Sequence, residues 1–391
     1  MNNLLNVYNR LPIKMMHGKG VYLFDDAGKR YLDFTSGIST VSLGHSHPHL
    51  IESLQKQSTE LWHCSNLFTI PEQQKLASRL TELTFADRVF FCSSGLEANE
   101  AAIKMIRRYH YVHGHPERHV IITIEGGFHG RSMAAISAGG SDIAREGYAP
   151  LLPGFKKVKR HDIEALEKAI DENTAAVFLE PIQSEGGVYP LDQNYLQAVK
   201  EITKRNNVLL AFDEVQTGYG RTASLFYYQQ LGFDPDILTC AKAMGNGFPL
   251  AACLTSETVA ESMKPGTHGS TYGGNPLAMA VGNAVLDVMT QPTFFDNVRI
   301  VAKYLQDKLY NLQEQFPQII KEIRGNGLLL GMEVFPQYNV QDIIKHLLHE
   351  GLLVTKTAQP HTIRIVPPLV ITQQHVDDAI SILLCALPKA Q

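Results

Sequence analysis

Cysteine is scarce and unpaired in this sequence. The 391 residues hold five, Cys64, Cys92, Cys240, Cys253 and Cys385, an odd number with no CxxC pair. Reduced, mostly buried thiols in a cytoplasmic protein are the expectation. Net charge is nearly absent: 35 basic against 39 acidic residues give −4 with histidine neutral. That argues against a polyanion-binding surface such as a nucleic-acid groove. No apolar run approaches the ~18 residues of a membrane span. The longest candidate, Ile382 to Leu387, sits in a helical pattern. The opening MNNLLNVYNR has neither the basic start nor the apolar core of a secretory signal. What is present is an ordinary globular balance, 44% hydrophobic and 19% charged, which argues against disorder. Length alone suggests two or three domains and names no activity.

Periodicity gives the organisation. Residues 21–34 read as a hairpin, VYLF and RYLDF around an Asp-Ala-Gly-Lys turn. From about residue 50, apolar strands alternate with helices. The strand runs are 88–92, 120–124, 176–179, 208–212, 237–240 and 250–254; helical spacing covers 96–113, 162–171 and 192–206. Such strands imply an α/β fold with a mostly parallel sheet covered on both faces. After about residue 290 the texture changes to a long amphipathic helix near 295–316, a strand at 327–334, a helix near 340–350, short strands near 352–355 and 362–365, and a last helix from about 373. The expected division is an N-terminal segment 1–50 joining a smaller α+β domain at 291–391, with a large domain at 51–290.

Chemistry concentrates at strand ends, where open parallel sheets bind ligands. Val208–Arg221, VLLAFDEVQTGYGR, ends a buried strand in Asp213-Glu214. A lone Asp there is as well explained by capping or a loop ion pair. Lys242, in TCAKAMGNG, follows the next strand among small and apolar neighbours, which suits a desolvated, nucleophilic amine. Ser93, Ser94 and Gly95 stand between a strand and a helix; they suit a phosphate or an ordinary Ser94–Glu97 capping box. GGFHGRS at 126–132 supplies Phe128, which can stack on a flat ring, and Arg131, which can grip a carboxylate. HGSTYGGNP at 268–276 offers the hydroxyls Ser270 and Thr271, and TIRIVPP puts Arg364 on an apolar strand. A lysine for a Schiff base, an Asp for a pyridinium nitrogen, a helix start for a phosphate and an aromatic for the ring are the set a pyridoxal 5'-phosphate (PLP) site requires.

The segments FDEVQTGYGR, AKAMGNGFP, FHGRS, EPIQSEGG, GHSHP and HGSTYGGNP closely resemble the class III aminotransferases of fold type I, in order from the hairpin to RIVPPL at 363–369. SNLF at 65–68, FHGRS and HGSTYGGNPLA are more specific to the branch that acts on acetylornithine. The resemblance implies residue roles. Lys242 becomes the Schiff-base lysine and proton shuttle, and Asp213 the partner of the ring nitrogen. Gly95 and Leu96 take phosphate-loop positions. Val215 packs on the ring face opposite Phe128, Gln216 meets the phenolic oxygen, and Glu214 lies in the same cofactor-binding stretch. Arg131 resembles the ligand of the substrate α-carboxylate, and Ser270 a substrate contact. Thr271 resembles a phosphate ligand lent to the neighbouring subunit, hence a homodimer with shared sites. Glu185 and Arg364 resemble a gating pair that frees Arg364 for 2-oxoglutarate.

The implied activity is a ping-pong transfer from N-acetylornithine to 2-oxoglutarate. N-succinyl-diaminopimelate, then ornithine or 4-aminobutyrate, are the alternative donors, and a glutamate-semialdehyde aminomutase stands behind them. A catalytically silent binding protein on the same fold is the reading from another class. Three departures from the family pattern stand out: Leu96 for a small or hydroxyl residue, and Ser184 and Asn246 for glycines. The histidine groups 45/47/49 and 110/113/115/119 lack an HExxH or CxxC frame, so no metal is expected. Gly325-Asn326-Gly327 precedes a strand, which fails the context a dinucleotide loop needs.

Overall fold

The chain's computed structural model describes residues 3–387. Residues 1, 2 and 388–391, the outer ends of the expected terminal segments, lie outside that range. A seven-stranded sheet forms the centre, in the order Arg88–Cys92, Ala251–Thr255, Ile237–Cys240, Leu209–Asp213, Thr174–Leu179, Val120–Ile124, Phe155–Val158. All neighbours pair in parallel except Ala251–Thr255, which runs antiparallel to both of its partners. Its strands are apolar on both faces: Thr174–Leu179, Leu209–Asp213 and Ile237–Cys240 are buried throughout. Such strands survive only when helices cover both sides. Helix Gly95–Val112 is one cover, laying Ala98, Ala101, Ala102, Met105 and Ile106 on the sheet.

The strand ends place the chemistry. Register pairs Asp213 with Thr239 and Phe212 with Leu238. Asp213 and the segment that leads from Cys240 to Lys242 therefore emerge side by side at the carboxyl edge.

Ile182–Gln183 pairs with Tyr189–Pro190 in a separate two-stranded sheet, and two four-stranded sheets flank this core. One is the N-terminal hairpin, extended by a strand the sequence pattern did not reveal, Met15–Lys19, and by Leu352–Leu353 from the C-terminal region. The other is antiparallel, in the order Ile320–Asn326, Leu329–Val334, Thr362–Ile365, Thr355–Lys356. Its first strand, IKEIRGN, was also missed, because its exposed Lys321 and Glu322 break the alternation. Gly325 and Asn326 thus end the first strand of a hairpin, paired with Leu330 and Leu329, and Gly327 opens its two-residue turn. A Cβ on Gly327 would lie 2.6 Å from the Arg221 carbonyl.

Arg221 joins the parts. Its side chain is 1% exposed and has no carboxylate partner among the described residues. One Nη donates to the carbonyls of Leu328 (3.0 Å) and Pro367 (2.5 Å) in the C-terminal region. The other donates to Ser36 Oγ (3.3 Å) and Ser42 Oγ (3.1 Å) near the N-terminus. Burial pushes this guanidinium down to about 9. Ser36 belongs to a turn with four successive left-handed residues, Ser36, Gly37, Ile38 and Ser39. Non-glycine residues adopt that conformation only when surrounding contacts hold them. Asp33 supplies some, accepting from the N–H groups of Thr35 (2.9 Å) and Ser36 (3.0 Å).

Candidate active site

A cavity of about 400 Å³ opens at the carboxyl edge of the large sheet. It is lined by Gly95, Leu96, Phe128, Arg131, Asp213, Val215, Gln216 and Lys242, so eight of the expected residues meet in one place.

Lys242 has φ +50°, a left-handed backbone. Holding a lysine so costs about 1–3 kcal/mol, and such strain gathers at functional sites. Its amine makes no hydrogen bond or ion pair among the described residues. Burial pushes it down to about 8, with Arg364 adding to the fall and Glu185, Asp213 and Glu180 opposing it. A lysine in this state is a nucleophile close to neutral pH.

Asp213 is held from three sides. Its Oδ2 accepts from Asn99 Nδ2 (2.8 Å) and His129 Nδ1 (2.8 Å), and its Oδ1 from the Val215 N–H (3.0 Å). Asn99 in turn accepts from Thr239 Oγ1 (2.7 Å) and donates to the His129 carbonyl (2.8 Å). The His129 ring stacks on Phe178 at 4.5 Å. These donors fix the direction of the carboxylate. Sequence reasoning assigned no role to Asn99, His129 or Thr239. The signal was there in part, since His129 is the centre of the FHGRS segment.

The helix start at Gly95 keeps its first N–H groups free. Ser94 caps the helix through Glu97 N (3.3 Å). Glu97 reaches back one residue further than a capping box requires, accepting from Ser93 N (2.9 Å) and Ser94 Oγ (3.1 Å). The N–H groups of Gly95 and Leu96 have no acceptor among the described residues. A Cβ on Gly95 would lie 2.7 Å from Val215 Cγ1, so no side chain fits there. The Leu96 departure costs this cradle a hydroxyl and leaves its backbone donors intact.

Gln216 shows a similar division. Its Oε1 accepts from Ser39 Oγ (3.0 Å) and faces Arg364 Nη1 (3.4 Å), which leaves its amide N–H groups to the cavity. Arg364, 2% exposed, is in a short, direct ion pair with Glu185. Ser184 Oγ also faces the guanidinium at 3.4 Å, a contact a glycine there would lack. Asn246, the third departure, takes φ +44° and stitches its loop to the N-terminal segment. Its side chain accepts from Leu43 N (2.7 Å) and donates to the Gly44 carbonyl (3.1 Å).

Glu180 is an unexpected member. It lines the cavity, 6% exposed, and accepts from the Phe128 N–H at 2.7 Å. Burial beside the Asp213 charge pushes its carboxyl well above the usual range.

Glu214 must be corrected. It does not line the cavity; its carboxylate turns away to accept from the N–H groups of Tyr227 (2.6 Å) and Tyr228 (2.9 Å) and from Thr217 Oγ1 (2.9 Å). Alternation along an extended chain sends neighbours Asp213 and Glu214 to opposite sides. Ser270 and Thr271 also lie outside this cavity. Ser270 Oγ faces Glu97 Oε1 at 3.4 Å, and Thr271 is exposed. Two of the histidines pair with carboxylates, His45 with Asp33 (2.8 Å) and His49 with Asp287 (2.9 Å).

A family model described as aminotransferase class-III matches residues 6–387. The chain belongs to the class-III aminotransferases. It is 48% identical over 378 residues to an acetylornithine aminotransferase of Agrobacterium fabrum, covering 97% of this chain and 94% of that relative. The crystal structure of N-acetylornithine aminotransferase from Stenotrophomonas maltophilia superposes with a TM-score of 0.85 at 36% identity, covering 98% of this chain and 97% of that one. An ornithine aminotransferase from Toxoplasma gondii, with partial occupancy of PLP at its active site, gives a TM-score of 0.93 at 34% identity over 98% of this chain and 92% of its own. Class-III aminotransferases are PLP-dependent enzymes. The residues here fit that group: an unpaired, depressed lysine, a fixed carboxylate, free N–H donors at a helix start, and Phe128 and Val215 as apolar walls.

Proposed function

We propose that this aminotransferase moves the distal amino group of N-acetylornithine to 2-oxoglutarate, giving N-acetylglutamate 5-semialdehyde and glutamate, in the cytoplasm and as part of arginine biosynthesis. The observation that carries this reading is the pair of unlike arginines around Lys242. Arg131 lines the cavity with no hydrogen-bond or ion-pair partner among the described residues, touching only the Phe128 ring at 5.7 Å. Arg364 is already neutralised by Glu185. The similarity to acetylornithine aminotransferases supports the choice of donor.

PLP, when bound, supplies an aldehyde for the amino group and an electron sink for the charge left on the reacting carbon. Asp213 Oδ would pair with the ring nitrogen, and Lys242 Nζ would hold and move the proton of the transfer. Arg131 anchors the α-carboxylate of the donor, which leaves the distal amine at Lys242. 2-Oxoglutarate reacts at the carbon next to its α-carboxylate, so that group needs a cation nearer the lysine. Arg364 supplies it once Glu185 swings aside.

Losing a charged bidentate contact costs roughly 1.5–3 kcal/mol, or about 10- to 150-fold. Arg364→Ala is therefore expected to weaken 2-oxoglutarate and glutamate by that factor in single-turnover assays, with acetylornithine much less affected. Equal losses in both half-reactions would end this division of labour.

We also propose a homodimer in which Thr271 reaches the partner's phosphate site. Leu61, Trp62, Leu67, Phe68 and Tyr272 are all exposed, Leu67 by 89%. Asn66 Nδ2 ties this patch to the Ser270 loop by donating to the carbonyls of Ser270 (3.3 Å) and Gly273 (2.9 Å). Apolar patches of this kind mark interfaces. Phe68→Asp should give monomers by sedimentation velocity and weaken PLP binding at least about tenfold. A monomer that binds PLP normally would show that the site is complete in one chain.

A further inference from the structure

Beside the cavity lies a second chamber of about 580 Å³, between the N-terminal segment and helix Met133–Ala138. Arg131 lines both spaces. The other walls are mostly apolar, with Met133, Ile136, Ala144, Tyr8 and Tyr148 among them. Ile136 and Ala144 are buried, while Met133 is 46% exposed at the rim.

Among the described residues, no lining residue is acidic and Arg131 is the one cation in the lining. Other charges lie near the chamber without lining it, and Arg145 Nη2 is buried without a partner among the described residues. Arg145 Nε donates to the Ile136 carbonyl at 3.0 Å and its Nη1 faces Asp142 Oδ1 at 3.6 Å. Glu100 accepts a short hydrogen bond from Ser132 Oγ. Arg10 lies over the Tyr8 ring at 5.3 Å and is not among the lining residues.

The geometry points to this chamber as the subsite that selects a neutral acylamino group on the donor, acetyl in preference to succinyl. The inference rests on the proposed function, which puts the α-carboxylate on Arg131. The acylamino group hangs from the same carbon as that carboxylate. The three methylenes run inward to Lys242, so this group must project to the outer side of Arg131, into the chamber. A free α-ammonium there would sit beside a guanidinium with no carboxylate to pair with, an unfavourable arrangement that acylation removes. A succinyl group brings a terminal carboxylate, and the one cation in the described lining already serves the α-carboxylate. A neutral acetamide meets apolar walls and two phenol rims without either conflict.

The test uses the PLP-loaded enzyme and ligands that lack the distal amine. By calorimetry, N-acetylnorvaline should bind at least about tenfold more tightly than N-succinylnorvaline. A new rim charge within reach of a ligand charge shifts affinity about fivefold. Met133→Arg should therefore narrow the succinyl deficit about fivefold. Met133→Glu should widen it by a similar factor and raise kcat/KM for free ornithine relative to acetylornithine about fivefold. Glutamate carries nothing at the corresponding carbon, so its half-reaction should respond far less than the acylated donors do. The chamber assignment is overturned if the two norvalines bind alike in the unmodified enzyme, or if both charge changes shift them equally. Failure of the unmodified enzyme to transfer an amino group from acetylornithine to 2-oxoglutarate would instead defeat the functional reading beneath it.

Discussion

Lys242→Ala should give a folded protein that takes up PLP without covalent attachment and turns over roughly 10²–10⁴-fold more slowly, the usual worth of a positioned proton-transfer group. The free N–H groups of Gly95 and Leu96, the fixed Asp213 and the Phe128 and Val215 walls remain to hold the cofactor. Borohydride reduction followed by peptide mapping should place PLP on Lys242 in the unmodified enzyme; attachment at Lys264 or elsewhere would refute the assignment. The amine's value of about 8 adds a pH signature. Below it the amine is protonated, so the rate of covalent cofactor uptake by the cofactor-free protein should rise about tenfold per pH unit and level off above about pH 8. An ordinary lysine would keep climbing toward about 10.4. Stopped-flow absorbance between pH 6 and 10 distinguishes the two curves.

Asp213→Asn carries the second large effect. Two of the three donors on Asp213, Asn99 Nδ2 and His129 Nδ1, meet the same oxygen, so an amide oxygen placed there keeps both and gives up only the Val215 N–H contact. Shape is then preserved while the charge facing the ring nitrogen is lost. An ion pair near 4 Å at an effective dielectric of 20 is worth about 4 kcal/mol, or roughly a thousandfold. The expected result is a fall in kcat approaching that size, with a much smaller change in PLP affinity, because phosphate and ring contacts persist. Near-normal turnover in Asp213→Asn would remove the carboxylate from the electron-sink role. A further control separates charge from position: His129→Phe should leave the charge and loosen its direction, giving a smaller loss in kcat.

Why some of this was legible in the sequence and some was not follows from the kind of signal each part leaves. The strands at 88–92, 120–124, 208–212 and 237–240 are apolar on both faces and bounded by turns, so each stands out locally. Asp213 and Lys242 stand directly after such strands, and the rule that strand ends carry ligands was enough to single them out. Ile320–Asn326 and Met15–Lys19 carry exposed polar residues and pair at sheet margins, where neither face demands alternation. Glu214 shows the limit of reading a motif as a unit. It shares DEVQ with three cavity residues, yet its side chain caps the turn at Tyr227. Asn99 and His129 reach Asp213 from a helix and a loop 114 and 84 positions away. Contacts of that span leave no periodicity to find. The chamber beside Arg131 is invisible for the same reason, since Tyr8 and Tyr148 meet only in the folded chain.

Arg221 has a consequence for how this protein can be altered. Its guanidinium is shared among carbonyls and hydroxyls from both ends of the chain, and it sits eight positions after Asp213. The smaller C-terminal part is therefore not an exchangeable module. A chimaera that imports residues 291–391 from a distant relative must also present carbonyls where Leu328 and Pro367 present theirs. If it does not, it leaves a cation stranded in the interior, eight positions beyond Asp213. Recombination breakpoints that keep Arg221 with both of its carbonyl acceptors should give folded, PLP-binding hybrids far more often than breakpoints that separate them.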